Sequence, residues 1–284
     1  MIPHQTGRAR SGELSIHFRR LGRPGGTPLL VVHGLQYFSW DWLEVAQALG
    51  AGREVILMDM RGFGDSDWSA QKDYSVPASA QDIVNVLDHA GWKRVVLVGH
   101  SMGGRSTTFA AAKHAARVAA LALIDYTPDN APAGAKRTTE LVGGTPDSFP
   151  SAQAARAYLN PKKSAERFRH YLKEENGRYA VRRDPFFRDQ FRKVLAGGER
   201  PKLGVDMWQL LAEVRCPVLS VRGTRSDMYA AETAQKMKDA NPRLQVLEAN
   251  AGHDIAGDNA PALIAALRAF LDTVEEKADA HPGR

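Results

Sequence analysis

The sequence has a single cysteine, Cys216, among its 284 residues, so no disulfide can form within the chain. It has no run of eighteen or more apolar residues, the length that a membrane-spanning helix needs. It also has no basic start followed by an apolar segment, the pattern of a secretory signal. From these absences we expect a soluble, cytoplasmic protein without a membrane partner.

Metal-binding and phosphate-binding patterns are missing as well. The nine histidines do not cluster at ligand spacing, and the stretch GHSMGG lacks the lysine of a phosphate-binding loop. We therefore expect no metal and no cofactor. The net charge is +6, but the basic residues are scattered or accompanied by acids, which argues against nucleic-acid binding. The expected partner is a small-molecule substrate, with anionic compounds as one option; the sequence leaves monomer and homodimer open.

Short apolar runs rich in β-branched residues alternate with segments of helical periodicity. Such runs are typical of strands buried on both faces of a parallel sheet. They lie at 29–33, 54–60, 95–99, 117–125, 217–223 and 244–249. The alternation predicts an α/β fold with a doubly wound, mostly parallel sheet.

This alternation is interrupted between 128 and 213, where the pattern is helical throughout. We therefore predict a core formed by residues 13–127 and 214–278 and a helical cap formed by residues 128–213, inserted between strands 6 and 7. Residues 1–12 are polar and without periodicity, and we expect them to be frayed.

The motif GHSMGG places Ser101 between Gly99 and Gly103, directly after a β-branched strand and before a helical stretch. A G-x-S-x-G turn of this kind exposes a serine hydroxyl at the end of a strand, and only glycines leave room for its tight bend. The serine is thus the candidate nucleophile, although a serine that caps the next helix is the plain alternative.

A nucleophilic serine needs a base and an acid later in the chain. His253, in the loop AGHDI after the last strand, is the candidate base. The acid has two candidates, Asp125 and Asp227, because each follows a predicted strand end from which a carboxylate could reach the histidine. Either one could instead be a turn or helix-cap aspartate.

The predicted oxyanion hole consists of two backbone N–H groups, those of Leu35 and Met102. Gly34 would allow the close approach of the first loop. We expect His33 to orient that loop, and His100, inside the turn, to contribute packing.

The motifs HGLQ, DMRGFGDSD, GHSMGG, RGTRSD and AGHD stand in one order along nearly the whole chain, and together they resemble the α/β-hydrolase superfamily. The resemblance implies a serine nucleophile, a histidine base and a cap that selects the substrate. The stretch from Ala110 to Pro128 is similar to acetamidomethylene-succinate hydrolases, in which the acid follows the sixth strand. That similarity favours Asp125, and both aspartates stay candidates.

The leading hypothesis is a serine hydrolase that cleaves an ester, amide or carbon–carbon bond of a small organic substrate, carboxylate-bearing compounds being one option. The alternatives are a cofactor-independent dioxygenase of a hydroxylated heteroaromatic compound and a hydrolase-like ligand receptor. Substrate-binding residues are not identified, because the polar and aromatic side chains of the cap fit a pocket wall and an outer surface equally well. These are Tyr158, Arg169, Tyr171, Arg178, Tyr179, Phe186, Phe187 and Trp208.

Overall fold

The computed structural model describes residues 2–279. The strands are β1 (Gln5–Ser11), β2 (Leu14–Gly22), β3 (Leu29–Val32), β4 (Glu54–Met58), β5 (Val95–His100), β6 (Val118–Ile124), β7 (Leu172–Glu175), β8 (Arg178–Val181), β9 (Val218–Gly223) and β10 (Leu244–Ala249). The helices are α1 (Leu43–Leu49), α2 (Val76–Ala90), α3 (Met102–Lys113), α4 (Pro132–Gly143), α5 (Ala152–Leu159), α6 (Ala165–Arg169), α7 (Pro185–Leu195), α8 (Met207–Glu213), α9 (Ala231–Ala240), α10 (Ile255–Asp258) and α11 (Ala260–Asp279). None of these helices combines the length and the hydrophobicity that a bilayer span requires.

Eight strands form one twisted sheet in the order β1-β2-β4-β3-β5-β6-β9-β10. Strands β4, β3, β5, β6, β9 and β10 run parallel to one another, while β1 and β2 are antiparallel to their neighbours. Strands β3, β5 and β6 are buried along their full length, because helices cover both faces of the sheet. The predicted doubly wound α/β fold is confirmed.

Two apolar cores lie on opposite faces of this sheet. Helices α2, α3 and α8 contribute to one core, and α1 and α11 contribute to the other. Helix α2 is well delimited by its sequence, since Ser75 caps its first turn and Gly91 ends it with a φ of 71°. The carboxyl ends of the parallel strands meet at one edge, where the connecting loops come together.

The prediction for the amino terminus was wrong. Strand β1 pairs with β2 over its whole length and carries Ala9 into the core with no exposed surface. Its short alternation of small and polar side chains is a weak signal, and the pairing depends on the turn at Gly12, whose φ is 60°. The core therefore begins before residue 13.

Residues 128–213, which we call the insert, leave the sheet after β6 and return to it at β9. The insert is not wholly helical as expected, because β7 and β8 form an antiparallel hairpin between α6 and α7. The hairpin turns at Asn176 and Gly177, both with positive φ, and Asn-Gly is the residue pair that such a two-residue turn prefers. That dipeptide was the sequence signal for the hairpin.

Candidate active site

Ser101 lies in the sharp bend between β5 and α3, with φ 51° and ψ −118°. This is a sparsely populated conformation for a residue with a side chain, and it costs on the order of 1–3 kcal/mol. The flanking glycines are sterically required. A Cβ on Gly99 would lie 2.1 Å from Thr107 Oγ1, and one on Gly103 would lie 2.3 Å from the carbonyl oxygen of Val32. The bend therefore presents the Ser101 hydroxyl at the carboxyl edge of the sheet.

A chain of hydrogen bonds joins Ser101, His253 and Asp125, which come from three separate loops. The distance from Ser101 Oγ to His253 Nε2 is 2.9 Å, and that from His253 Nδ1 to Asp125 Oδ2 is 2.6 Å. Since an ionised carboxylate only accepts, Nδ1 carries the imidazole proton and Nε2 accepts from the hydroxyl. The arrangement can remove the proton of the serine hydroxyl.

The carboxylate of Asp125 is 1% exposed and fully engaged. Besides His253, it accepts from the backbone N–H of Gly223 at 2.8 Å and from the hydroxyl of Ser226. Gly223 is the last residue of β9 and Ser226 lies just beyond it, so the neighbouring strand end holds the carboxylate in place. Asp125 is itself bent into a positive φ of 44°, which turns its side chain toward the histidine.

Asp227, the other predicted acid, does not contact His253. Its two carboxylate oxygens accept from Arg137 of the insert, at 2.5 and 2.8 Å. The hydrogen bonds from Arg137 lower the pKa of this carboxyl group. About a third of the Asp227 side chain is exposed. Of the two candidates, the structure brings only Asp125 to the histidine.

The two predicted oxyanion donors belong to segments that lie next to Ser101. Met102 is the first residue of α3, so its N–H is one of those that the helix itself leaves unbonded. Leu35 follows Gly34, where an added Cβ would lie 3.0 Å from both Ser101 Cβ and His100 Nδ1. The absence of a side chain at Gly34 therefore lets the loop that carries Leu35 approach the nucleophile.

Two buried histidines hold the loops around the site. His33 Nδ1–H donates to the carbonyl of Gly34 at 2.7 Å, and its Nε2 accepts from the N–H of Met60 at 3.0 Å. His100 Nε2–H donates to the carbonyl of His253 at 3.0 Å. Burial lowers the pKa of both rings, so they are neutral at physiological pH. No sequence pattern indicates that His100 anchors the loop of His253.

Two spaces adjoin the site. The inner cavity has a free volume of about 40 Å³ and lies between the loop of Leu35 and the insert residues Tyr171 and Arg183. The outer cleft, of about 510 Å³, borders His253 and is rich in charged side chains. Tyr37 and Lys163 line both spaces. The insert therefore forms one wall of each.

Buried polar contacts connect the insert to the loop that follows Leu35. The carboxylate of Asp41, 2% exposed, accepts from Lys163 Nζ and from the hydroxyl of Tyr171. Lys163 also lies 3.4 Å from Asp254, next to the candidate base. Sequence reasoning missed Lys163 and Arg183 as pocket residues. Of the side chains it proposed, Tyr171 lines the inner cavity, whereas Tyr158, Arg169 and Arg178 are exposed.

In the described part of the chain, one group of side chains has the proximity that a metal ion would need, namely His17, Asp59 and Asp65. Its ligand atoms are already engaged, since His17 Nδ1 bonds Asp59 at 2.9 Å and Asp65 pairs with Arg182. Asp59 also accepts from the N–H of Ser39. The pKa of Asp59 is low because the hydrogen bond from His17 and nearby cations outweigh its burial. This cluster serves as a structural link between loops.

Comparison with known proteins shows the family to which the fold belongs. A family model described as the alpha/beta hydrolase fold matches residues 27–260. A 3-hydroxybutyrate-oligomer hydrolase of Cupriavidus necator is 29% identical over 240 residues, which cover 78% of this chain and 80% of that protein. A 2-(acetamidomethylene)succinate hydrolase of Mesorhizobium japonicum is 26% identical over 265 residues, which cover 92% and 93%. The crystal structure of an E-2-(acetamidomethylene)succinate hydrolase is similar in fold, with a TM-score of 0.82, 24% sequence identity and coverage of 95% of this chain and 100% of that one.

Proposed function

Because the chain belongs to the α/β-hydrolase fold family and is an enzyme of the hydrolase class, we propose that it cleaves an ester, amide or carbon–carbon bond through an acyl-enzyme on Ser101. The observation that carries this proposal is the hydrogen-bonded series from Ser101 through His253 to Asp125. The substrate is a small organic molecule, since the spaces that border Leu35 and His253 have free volumes of only about 40 and 510 Å³.

In the first half of the reaction, Ser101 Oγ gives its proton to His253 Nε2 and bonds to the substrate carbonyl carbon. The carbonyl oxygen becomes an oxyanion, which the N–H groups of Leu35 and Met102 stabilise. The tetrahedral intermediate collapses as the bond to the leaving group breaks. His253 returns the proton to that group, and an acyl ester of Ser101 is left.

In the second half, a water molecule gives a proton to His253 and attacks the acyl carbon. The ester bond to Ser101 then breaks, the serine oxygen regains its proton, and a carboxylic acid leaves. Asp125 holds the imidazole in the Nδ1–H form and stabilises its positive charge in both halves. Asp227 has no part in these steps, because its carboxylate bonds to Arg137.

The insert has the role of a cap, since it supplies walls to both spaces. Carboxylate-bearing substrates are part of the proposal for two reasons. The chain has a net charge of +6. The two relatives are named for a hydroxybutyrate oligomer and a succinate derivative, which are carboxylate compounds.

The proposal is tested with a fluorophosphonate label and a panel of 4-nitrophenyl esters. We expect the wild type to be labelled and active, and Ser101→Ala to lose the label and at least about 10³-fold of its activity. Ser148→Ala, a change in the insert, is the matched control and should retain both. Full activity in Ser101→Ala would refute the acyl-enzyme. Oxygen uptake on a hydroxyquinolone that survives this substitution would identify the dioxygenase alternative instead.

A further inference from the structure

Arg183 is a buried cation at the base of the β7–β8 hairpin, with 6% of its surface exposed. Its backbone is fixed to the core on both sides. The N–H of Gly64 donates to the carbonyl of Arg182 at 2.8 Å, and the N–H of Asp184 donates to the carbonyl of Gly62 at 2.8 Å. The backbone that carries Arg183 is thus held at a defined place by the core loop rather than by the insert alone.

The guanidinium of Arg183 has no hydrogen-bond or ion-pair partner among the side chains that the structure describes. Burial and the charge of Arg188 lower its pKa to about 10, so it stays protonated at neutral pH. The second cation of the inner cavity, Lys163, is by contrast neutralised by Asp41 and Asp254. Burial of a charge without a partner costs free energy, so most buried charges in proteins are paired. Arg183 is not, and a bound anion would supply the missing partner.

The position of Arg183 relates it to the reacting groups. It lines the inner cavity together with Leu35, whose N–H is the proposed oxyanion donor, whereas His253 borders the outer cleft. The histidine delivers its proton to the leaving group, so the leaving group belongs on the side of the outer cleft. The inner cavity is then the place of the acyl part, and its free volume of about 40 Å³ suits a small terminal group.

We propose that Arg183 binds a carboxylate on the acyl part of the substrate, so that the enzyme hydrolyses half-esters or half-amides of dicarboxylic acids. This inference rests on the proposed function. The planar guanidinium can donate two parallel hydrogen bonds to a carboxylate, and its low exposure of 6% strengthens them. A substrate with an uncharged group at this position would leave the buried cation unpaired, and the enzyme would discriminate against it.

Kinetics with matched ester pairs test the proposal. The anionic series consists of the 4-nitrophenyl half-esters of succinate, glutarate and adipate. The neutral series carries an isopropyl group in place of each carboxylate. We expect the wild type to prefer at least one half-ester in kcat/KM, and Arg183→Met to reduce that preference about 100-fold, mostly through KM. Arg183→Lys should restore part of it, because the charge is kept.

Arg178→Met, an exposed arginine of the same hairpin, is the control and should keep the wild-type preference. Removal of an unpaired buried charge should leave the melting temperature of Arg183→Met at or above that of the wild type. A clear fall in melting temperature would assign Arg183 a structural role and overturn the proposal. Equal kcat/KM for both ester series in the wild type, or a preference that persists in Arg183→Met, would overturn it too.

A binding measurement separates this inference from the proposed function. Succinate, glutarate and adipate, the products of the half-esters, are titrated into Ser101→Ala and into the double variant Ser101→Ala/Arg183→Met by calorimetry. We expect at least one dicarboxylate to bind the first protein and to bind the second about 100-fold more weakly. This binding measurement needs no turnover. The dicarboxylates can therefore bind at Arg183 even if Ser101 forms no acyl-enzyme. Absence of binding to the first protein would overturn the carboxylate site.

Discussion

Two neighbouring strand ends, those of β6 and β9, each carry an aspartate, and the two carboxylates have opposite surroundings. Asp125 is buried, and three donors from the sheet core surround it. Asp227 is partly exposed, and its partner Arg137 belongs to the insert. Position at the carboxyl edge of the sheet is therefore not enough to make a triad acid. What distinguishes the two is the number of fixed donors that hold the carboxylate.

The comparison also distinguishes two roles of a carboxylate, one catalytic and one structural. The donors around Asp125 hold it in place and keep it pointed at His253, which is what a charge-stabilising acid needs. The bidentate pair of Asp227 and Arg137 connects β9 to α4, and so it ties the insert to the core. The following predictions test this division between a catalytic and a tethering carboxylate.

The largest effect is expected from Asp125→Asn. The amide would present an N–H to His253 Nδ1 and force the imidazole into the wrong tautomer, so kcat should fall on the order of 10³–10⁴-fold. Steady-state kinetics on the 4-nitrophenyl ester panel measures the loss. Retention of near-native circular dichroism is the control for folding. A loss of less than tenfold would remove Asp125 from the catalytic role.

A smaller effect is expected from Ser226→Ala, which removes the hydroxyl that donates to Asp125. The carboxylate would keep its bonds to His253 and Gly223, so we expect kcat to fall about 10-fold with little change in KM. Ser226→Thr keeps a hydroxyl and should recover part of the rate. An equal loss in both variants would mean that packing, not the hydrogen bond, is responsible.

Asp227→Asn should change kcat less than about threefold, because Asp227 does not contact the histidine. The expected change in the free energy of unfolding is about 0.5 kcal/mol, since both partners of the pair are partly exposed and screened. Chemical denaturation and ester kinetics measure the two quantities. A loss of kcat comparable to that of Asp125→Asn would reverse the assignment of the two aspartates.

The smallest effect concerns pH. Hydrogen bonds from Arg137 lower the pKa of Asp227 below its unfolded value of about 3.9. The pair therefore stabilises the fold above about pH 4, and its contribution disappears as the pH falls through the lowered pKa. The difference in unfolding free energy between wild type and Asp227→Asn should shrink from pH 6 to pH 3, and also in 1 M salt. A constant difference would show that the pair contributes nothing measurable.

Much of the fold could be predicted because its signals are local. The runs at 29–33, 95–99 and 117–125 are apolar on both faces, and only a covered parallel sheet requires that. The G-x-S-x-G bend is equally local, since steric space decides its glycines. These features depend on neighbours in sequence, and the structure has strands β3, β5 and β6 where they were expected.

The features that escaped sequence reasoning depend on partners far apart in the chain. Asp41 and Lys163 are separated by 122 positions, and only the docked insert brings them together. The choice between Asp125 and Asp227 turns on Gly223, Ser226 and Arg137, none of which carries a recognisable signal. Sequence reasoning missed Arg183 as well. Its proposed role depends on the lack of a partner for its guanidinium, and no sequence pattern encodes that property.

The β7–β8 hairpin projects its Asn176–Gly177 turn into solvent while its base rests against the core loop. The exposed turn of the hairpin is therefore well apart from the cavity wall at its base. A dye attached at the exposed Glu175 would report movement of the insert without disturbing that wall. The lone cysteine makes such a probe practical. Burial raises the pKa of Cys216 to about 11, so at neutral pH a thiol reagent would modify an introduced Glu175→Cys first.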